Sequence, residues 1–297
     1  MIKLSIHIIY TTFLNTYKWM LLICLGILFS VNVANAQADT EFWFAAPAIT
    51  SGHANAPIVF RFTSYDKPSI ITISQPANPS FTPIIIPISA NATITKDVTY
   101  LINSIESKPG GLPLPTGIKI TSTFIISAYY EVIGRNPSNK IVNPEIFPLK
   151  GRSAKGLEFI IPGQSRFDNH PGDNPPALNG FVIVATENDT KVDIVVSNPD
   201  AAGHNQNEKF TITLQKGESY AVNGINYFAG IPNLHLGGSS VTSNKPICIT
   251  IYDDSILIGG NYDLIGDQIV PIINTGTEFI IVKGALNFPN NPNTDLY

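Results

Sequence analysis

A short strand-like phrase that returns at nearly constant distance is the feature that most constrains the fold. Glu-Phe occurs at Glu41-Phe42, Glu158-Phe159 and Glu278-Phe279, with spacings of 117 and 120 residues, and apolar residues follow each copy. The segments between the copies follow one order, in which Thr121-Ser122 aligns with Thr242-Ser243. The spacing predicts a repeat of about 120 residues that is present twice, with a third copy begun near the last residue.

The apolar residues follow the two-residue period of strands or form short continuous runs, and they do not follow the period of a helix. Ile, Val, Thr, Phe and Tyr dominate these runs, and turn-forming residues separate them. One weak helical signal occurs at Tyr100–Ser107. The sequence therefore predicts an all-β protein with strands at residues 57–65, 68–75, 82–89, 118–132, 180–186, 190–197, 209–215 and 246–253.

The repeat and the strand pattern together predict two tandem β-sandwich-like units of about 120 residues that pack on each other. The units are residues 37–155 and 156–275, and residues 276–297 start a third repeat that completes the second unit. By the same symmetry, we expect Glu158–Pro162 to be the closing strand of the first unit. Glu41–Phe44 is then a surplus strand without an equivalent position inside a unit. The alternative is one continuous, propeller-like β-array.

Residues 1–36 have the pattern of a secretory signal peptide. Two lysines are their only charged side chains, an apolar run covers 20–29, and a small-x-small site ends at Ala36. The apolar run is too short for the ~20 residues that span a membrane. We expect cleavage before Gln37, a secreted, extracellular or cell-surface location, and no transmembrane segment afterwards; the alternative is an uncleaved anchor.

The charge balance of the mature chain disfavours nucleic acid and anionic membranes as partners. Without Lys3 and Lys18, 16 of the 18 basic residues face 22 acidic ones, which gives a net charge of about −6. Charged residues make up 13% of the chain, against a usual ~25%, and this is common in exported β-proteins. Cys248 is the one cysteine after the signal, and we expect it to be buried and unreactive.

Several phrases also resemble a known family, the IgGFc-binding protein N-terminal domain. They are EFWFAAP, TSYDKPSIITI, GIKITS, LEFII, FVIVATENDTKVDI, FTITLQKGESY and SSVTSNKPICI, and the resemblance covers roughly residues 39–284. That domain occurs in secreted, mucin-associated animal proteins and in large bacterial cell-surface proteins. The resemblance implies an extracellular interaction module, which in the bacterial members commonly precedes adhesive repeats.

No catalytic motif is present in the sequence. It contains no Gly-x-Ser-x-Gly, no His-Glu-x-x-His and no Walker loop. His53, His170, His204 and His235 lie in Gly-, Asn- or Pro-rich segments, where we expect solvated loop residues. The glutamates of the recurring phrase occupy one position of a repeat, which indicates a structural role. We therefore expect no catalytic residue and no cofactor.

Two acidic stretches, FDNHPGDN at 167–174 and YDDS with NYDLIGD at 252–267, concentrate oxygen ligands of the kind calcium prefers. Neither has the spacing of an EF-hand, and Asp and Asn are also ordinary turn residues. The calcium candidates are Asp168, Asp173, Asp253, Asp254, Asp263 and Asp267.

The long Gly-rich loop at 224–238 is the predicted partner-binding surface, with Tyr227, Phe228 and His235 as its candidates. The function hypothesis is a secreted or cell-surface, non-catalytic adhesion module that binds an extracellular glycoprotein, polysaccharide or protein. Two alternatives stay open at this point: a structural spacer of a larger surface protein and an extracellular carbohydrate-active enzyme.

Overall fold

The computed structural model describes residues 37–164, 168–225, 234–258 and 261–276. Within these residues the protein is all-β, with two curled seven-stranded antiparallel sheets in a β-sandwich-like arrangement, as predicted. The segment interpreted as a signal peptide, 1–36, and the third copy of the repeat, from Thr277 onward, lie outside the described residues.

The first sheet belongs to the first unit. Its strands are β1 Ala38–Phe44, β2 Ile58–Ser64, β3 Ser69–Ser74, β4 Ile84–Ile88, β5 Thr93–Asp97, β6 Ile118–Val132 and β7 Glu145–Pro148. Short helical turns connect them at Ser51–His53, Thr99–Leu101, Ile102–Ile105 and Gly151–Ala154. The strand order is β4-β3-β6-β2-β5, and β1 and β7 also pair with β6.

The second sheet has the same strand order, seven strands later. Its strands are β8 Gly156–Ile160, β9 Asn179–Ala185, β10 Thr190–Val195, β11 Lys209–Leu214, β12 Ser219–Asn223, β13 Ser240–Ile258 and β14 Asn261–Ile269. The order is β11-β10-β13-β9-β12, and β8 and β14 also pair with β13. A last helical turn follows at Ile272–Asn274.

The longest strand of each unit passes from one layer of its sandwich into the other. The first part of β6, 118–122, lies between β1 and β3, whereas its later part, 126–132, lies between β2 and β7. β13 does the same with β8 and β10 and then with β9 and β14. A strand that changes layers in this way lets one continuous sheet enclose a core.

The expectation that Glu158–Pro162 closes the first unit is wrong. β8, which contains Glu158, pairs with β13 inside the second unit, and β1, which contains Glu41, pairs with β6 inside the first. The first and second copies of the Glu-Phe strand therefore each open their own unit, while the third lies outside the described residues. A strand next to the long central strand of its own unit gains backbone hydrogen bonds along one side without crossing to the other unit.

The predicted strands match observed ones closely, and the helical signal at Tyr100–Ser107 coincides with the helical turns at 99–105. β13 is much longer than the predicted 246–253. The structure also places a strand, β14, in the acidic stretch that was interpreted as ligand-bearing loops. Pairing with β13 from Ile249 to Ile258 overrides the low strand preference of its Asp, Asn and Gly residues.

The two units share one apolar core. Aromatic rings fill the first unit, where the Phe44 and Tyr130 ring centroids are 5.0 Å apart. Side chains of the second unit belong to the same buried cluster: Val182, Val184, Ala221, Cys248, Tyr252 and Leu264. The described residues from Gln37 to Gly276 consequently form one compact unit.

Hydrogen bonds also cross the seam between the units. Gln268 Nε2 donates to the Trp43 carbonyl at 2.7 Å, and the Lys150 backbone N–H donates to Gln268 Oε1 at 2.7 Å. The Ser219 hydroxyl lies 3.0 Å from Ser107 Oγ and 2.6 Å from Thr116 Oγ1, all three being buried. These polar groups are thus satisfied across the seam rather than left without partners.

Substitution of Leu264 tests the shared core. Leu264 lies on β14 and is 1% exposed inside the first unit's cluster. Leu264→Ala should lower the free energy of unfolding by about 2–5 kcal/mol and shift a single unfolding transition of the whole chain in urea. Ile273→Ala, at an 87% exposed position, is the control and should change little. Two separate transitions, of which only one moves, would contradict a shared core.

Candidate binding site

The predicted binding loop is partly described. Tyr227 and Phe228 lie outside the described residues, whereas His235 is placed and is only 4% exposed. The interpretation of His235 as a solvated loop residue is therefore wrong. The side chain lines a cavity of about 230 Å³ in the second unit.

Five parts of the second unit form this cavity. They are the segment after β8, the start of β9, the residues around His235, and the central parts of β13 and β14. The apolar lining residues are Ile161, Leu236, Ile251, Tyr252 and Ile265, and the polar side chains are Gln164, Asn179, His235, Asp253 and Asp267. Cavities for drug-sized ligands measure ~300–1,000 Å³, so this one has room for a single ring-sized group.

His235 faces Asp253 inside the cavity wall. His235 Nδ1 lies 3.0 Å from Asp253 Oδ2, but the two atoms are not aligned for a hydrogen bond. Two acceptors at this distance would repel each other, so the proton of a neutral ring belongs on Nδ1. His235 Nε2 is then an acceptor, and it is buried without a hydrogen-bond partner in the part of the chain that the structure describes.

Amide side chains hold Asp253 in place. Gln164 Nε2 donates to Asp253 Oδ2 and Asn169 Nδ2 donates to Asp253 Oδ1, both at 2.8 Å. Because Asp253 is only 6% exposed, these donors replace the water that a carboxylate needs. The negative charge of Asp253 is thus already stabilised by the protein.

Two further asparagines position the chain around His235. Asn179 Oδ1 accepts from the Leu236 N–H at 3.1 Å, and Asn198 Nδ2 donates to the His235 carbonyl at 2.7 Å. Sequence reasoning missed Gln164, Asn169, Asn179 and Asn198, because Asn is an ordinary turn residue and no local pattern marks these amides as contacts of a buried histidine and aspartate. The one available signal was the concentration of Asp and Asn at 167–174.

Asp267 supplies a second acceptor to the cavity. Its Oδ2 lies 2.5 Å from Lys150 Nζ, in an ion pair that joins the two units. Its Oδ1 is buried and has no hydrogen-bond partner among the described residues. Two residues that line the cavity, Asp267 and His235, therefore each carry a buried acceptor atom without a described partner, Oδ1 and Nε2 respectively.

The two cavity carboxylates are specific to the second unit. The pairing of Ile247 with Ala185 corresponds to that of Ile126 with Ser64, which places Asp253 at the position of Val132. The pairing of β13 with β14 likewise places Asp267 at the position of Phe147. Val132 and Phe147 are buried apolar residues, at 1% and 0% exposure. The carboxylates are consequently not part of the shared scaffold.

Asp254, the neighbour of Asp253, makes a seam contact and does not line the cavity. Its Oδ2 accepts from the Thr50 N–H at 2.6 Å, and the side chain is fully buried. A β-bulge between Asp253 and Ile256 interrupts the pairing with β14, and Ser255 adopts a positive φ of 49°. Burial raises the pKa of Asp254 to about 7, against the lowering effect of the Thr50 N–H.

The other calcium candidates differ in environment. Asp168 is exposed, Asp173 Oδ1 lies 2.8 Å from His170 Nδ1, and Asp263 Oδ1 accepts from the Leu264 N–H at 3.0 Å. In the described ranges, no three or more His, Cys, Asp or Glu residues are grouped as metal ligands. Calcium binding stays a prediction.

Two further sequence expectations concern Cys248 and the recurring glutamates. Cys248 is buried, and burial raises the pKa of its thiol to about 12, which disfavours the reactive thiolate. Burial alone would raise the pKa of Glu41, but hydrogen bonds from Lys119, Trp43 and Lys155 outweigh it and lower the pKa to about 2. Glu41 is thus ion-paired with Lys119 and Lys155, whereas Glu158 is exposed and Glu278 lies outside the described residues, so the structural role of the three glutamates stays a prediction.

The fold and this cavity define a double β-sandwich protein with a small polar site in its second unit. A family model described as IgGFc binding protein matches residues 149–297, half of the chain, and the chain belongs to this family. The match begins just before β8 and contains the whole second unit with the cavity-lining residues. No curated protein and no solved structure matches the chain.

Members of the family are typically extracellular binding modules. Among the described residues, no helix has the length and apolar content needed to cross a membrane.

Stability measured against pH tests the environment of Asp254. A folded-state pKa of about 7, above the ordinary aspartate pKa of 3.8, means that the folded chain keeps a proton that the unfolded chain releases. The free energy of unfolding should therefore fall as the pH rises from about 4 to about 7, by at most about 1.4 kcal/mol per pH unit from this group. Asp254→Asn should remove this contribution, so its stability relative to wild type should rise across that window.

Urea unfolding at each pH measures this difference, in which contributions from other groups cancel. Asp168→Asn makes the same chemical change at an exposed position and should run parallel to wild type. Parallel curves for Asp254→Asn and wild type would show that Asp254 is ionised throughout.

Proposed function

We propose that this chain is a secreted or cell-surface adhesion module that binds an extracellular glycoprotein, polysaccharide or protein without catalysing a reaction. The observation that carries the proposal is membership of the IgGFc binding protein family through the second unit. The structure adds a rigid scaffold with a small preformed site, which suits recognition.

The chemistry of the acidic groups supports binding rather than catalysis. Both carboxylate oxygens of Asp253 accept hydrogen bonds from amide side chains, so the protein already engages the group that a general base would need. Asp254, whose pKa is raised, lies fully buried against Thr50 at the seam and does not line the cavity. The thiol of Cys248 is buried as well.

The identical strand order of the two units supports their origin as copies of one repeat. In this proposal the first unit serves as scaffold, because Val132 and Phe147 fill the positions that Asp253 and Asp267 occupy in the second unit. The second unit carries the recognition site.

A binding array tests the adhesion function. The chain from Gln37 onward, applied to mucins, immunoglobulins, matrix proteins and polysaccharides, should be retained on at least one class without releasing any product. The same chain unfolded in urea is the control for nonspecific retention and should not be held. Hydrolysis of a retained substrate would overturn the non-catalytic proposal, and an absence of retention on every class would favour a structural spacer.

Export of the full chain tests the signal peptide. Residues 1–36 should be removed, so the mass and N-terminal sequence of the exported protein should begin at Gln37. Ala36→Leu, which replaces the small residue at the cleavage site, should leave the leader attached, while Ala38→Leu beyond the site should not. An exported wild-type chain that still begins at Met1 would contradict this assignment.

A further inference from the structure

We propose that the cavity of the second unit binds one neutral sugar residue, held by hydroxyl hydrogen bonds to His235 and Asp267. This proposal rests on the proposed adhesion function and names the ligand chemistry of its site. The inference combines the size of the cavity, its unpartnered acceptors, its charge balance and the position of its carboxylates.

The size and lining of the cavity fit a single sugar ring. Its volume is about 230 Å³, below the range for drug-sized ligands. Ile251 and Ile265, on the two paired strands, provide an apolar surface for the C–H face of a ring. Gly163 and Gly237 let the two bordering segments pass closely, since a Cβ on Gly163 would lie 2.9 Å from the Gly237 Cα. A side chain at either position would push these segments apart.

The unpartnered acceptor atoms of the cavity-lining residues favour a ligand that donates hydrogen bonds. With its proton on Nδ1 beside Asp253, the cavity-lining His235 has an unpartnered acceptor in Nε2, and the cavity-lining Asp267 has one in Oδ1. A buried acceptor without a donor costs ~1–3 kcal/mol, which a donating ligand would recover. Sugar hydroxyl groups are such donors, and several of them occur on one ring.

The charge balance favours a neutral ligand over an ionic one. No Lys or Arg lines the cavity among the described residues, so an acidic sugar or a phosphate would find no cation there. A cationic side chain would gain little, because Asp253 is already stabilised by Gln164 and Asn169 and Asp267 by Lys150. A neutral group that bears hydroxyls is therefore the ligand that best matches the cavity-lining residues.

The register of the two units shows that these groups are not required by the fold. The first unit forms the same sheet with Val132 and Phe147 at the positions of Asp253 and Asp267. Asp253, which is 6% exposed, is a polar side chain at a position that can be apolar, and burial of a polar group costs stability unless hydrogen bonds compensate for it. The second unit therefore carries the polar groups for a ligand.

Titration of the folded chain with free monosaccharides tests the proposal. The neutral probes are galactose, mannose, fucose and N-acetylglucosamine. The acidic probes are N-acetylneuraminic acid and glucuronic acid, and the cationic probe is Nα-acetyl-lysine amide. At least one neutral sugar should bind with a dissociation constant on the order of 1 mM, as measured by saturation-transfer NMR. The acidic and cationic probes should bind at least tenfold more weakly.

Two variants assign binding to the cavity by independent means. His235→Phe removes the acceptor and Ile265→Trp fills the cavity, and each should weaken the neutral sugar at least tenfold. His204→Phe, in another loop of the same unit, and Ile273→Trp, at an exposed position, are the matched controls and should bind like wild type. Unfolding curves verify that each variant is folded.

The outcomes separate this proposal from the adhesion function. Stronger binding of the acidic or cationic probe, no binding of any neutral sugar, or equal binding by all four variants would overturn the sugar site. If array retention persists in His235→Phe and Ile265→Trp, the sugar site fails while the adhesion function stands. If wild type is not retained on the array at all, the adhesion function fails as well.

Discussion

The apolar contact between the two units is the constraint on which the rest of the structure depends. A seven-stranded sandwich of this size has two faces to cover, and here the second unit places Val182, Val184 and Leu264 in the core of the first. Burial of Leu264 there determines which way the remaining side chains of β14 point, because successive side chains on a strand point to opposite faces. Leu264 points into the shared core and Ile265 lines the cavity.

The same alternation separates two neighbouring carboxylates that look equivalent in the sequence. Asp253 lines the cavity, while Asp254 contacts Thr50 of the first unit. The bulge that follows lets β13 resume its pairing with β14 after these residues. One Asp-Asp pair thus contributes to the cavity through its first member and to the seam through its second. The ion pair between Lys150 and Asp267 links the seam to the cavity in a similar way.

Much of the architecture could be predicted from the sequence because alternation and the repeat are local signals. The strands, the all-β class and the two packed units follow from residues such as those of 118–132 and 190–195. The pairing of β8 could not be predicted, since the repeat fixes which strands are equivalent but not which unit each one joins. β14 was missed because its pairing with β13, rather than its own Asp- and Asn-rich composition, makes it a strand.

The candidate site was less predictable for the same reason. The loop at 224–238 pointed to His235, but the burial of that ring depends on residues far away in sequence, such as Asn179 and Asp253. Asp253 and Asp267 occupy positions that are apolar in the first unit, where Val132 and Phe147 stand. This difference becomes visible only when the strand registers of the two units are compared. Tertiary pairing, and not local pattern, creates the site.

Recognition of a hydroxyl group requires that His235 present an unprotonated Nε2 inside the cavity. The most direct measurement is the ¹⁵N NMR spectrum of the His235 imidazole at about pH 8, where histidine is ordinarily neutral, assigned by its loss in His235→Phe. The expected result is a single tautomer with the proton on Nδ1, facing Asp253, and a bare Nε2. A proton on Nε2, or rapid exchange between the two tautomers as in a solvated ring, would contradict the orientation of His235 by Asp253 and with it the proposed site.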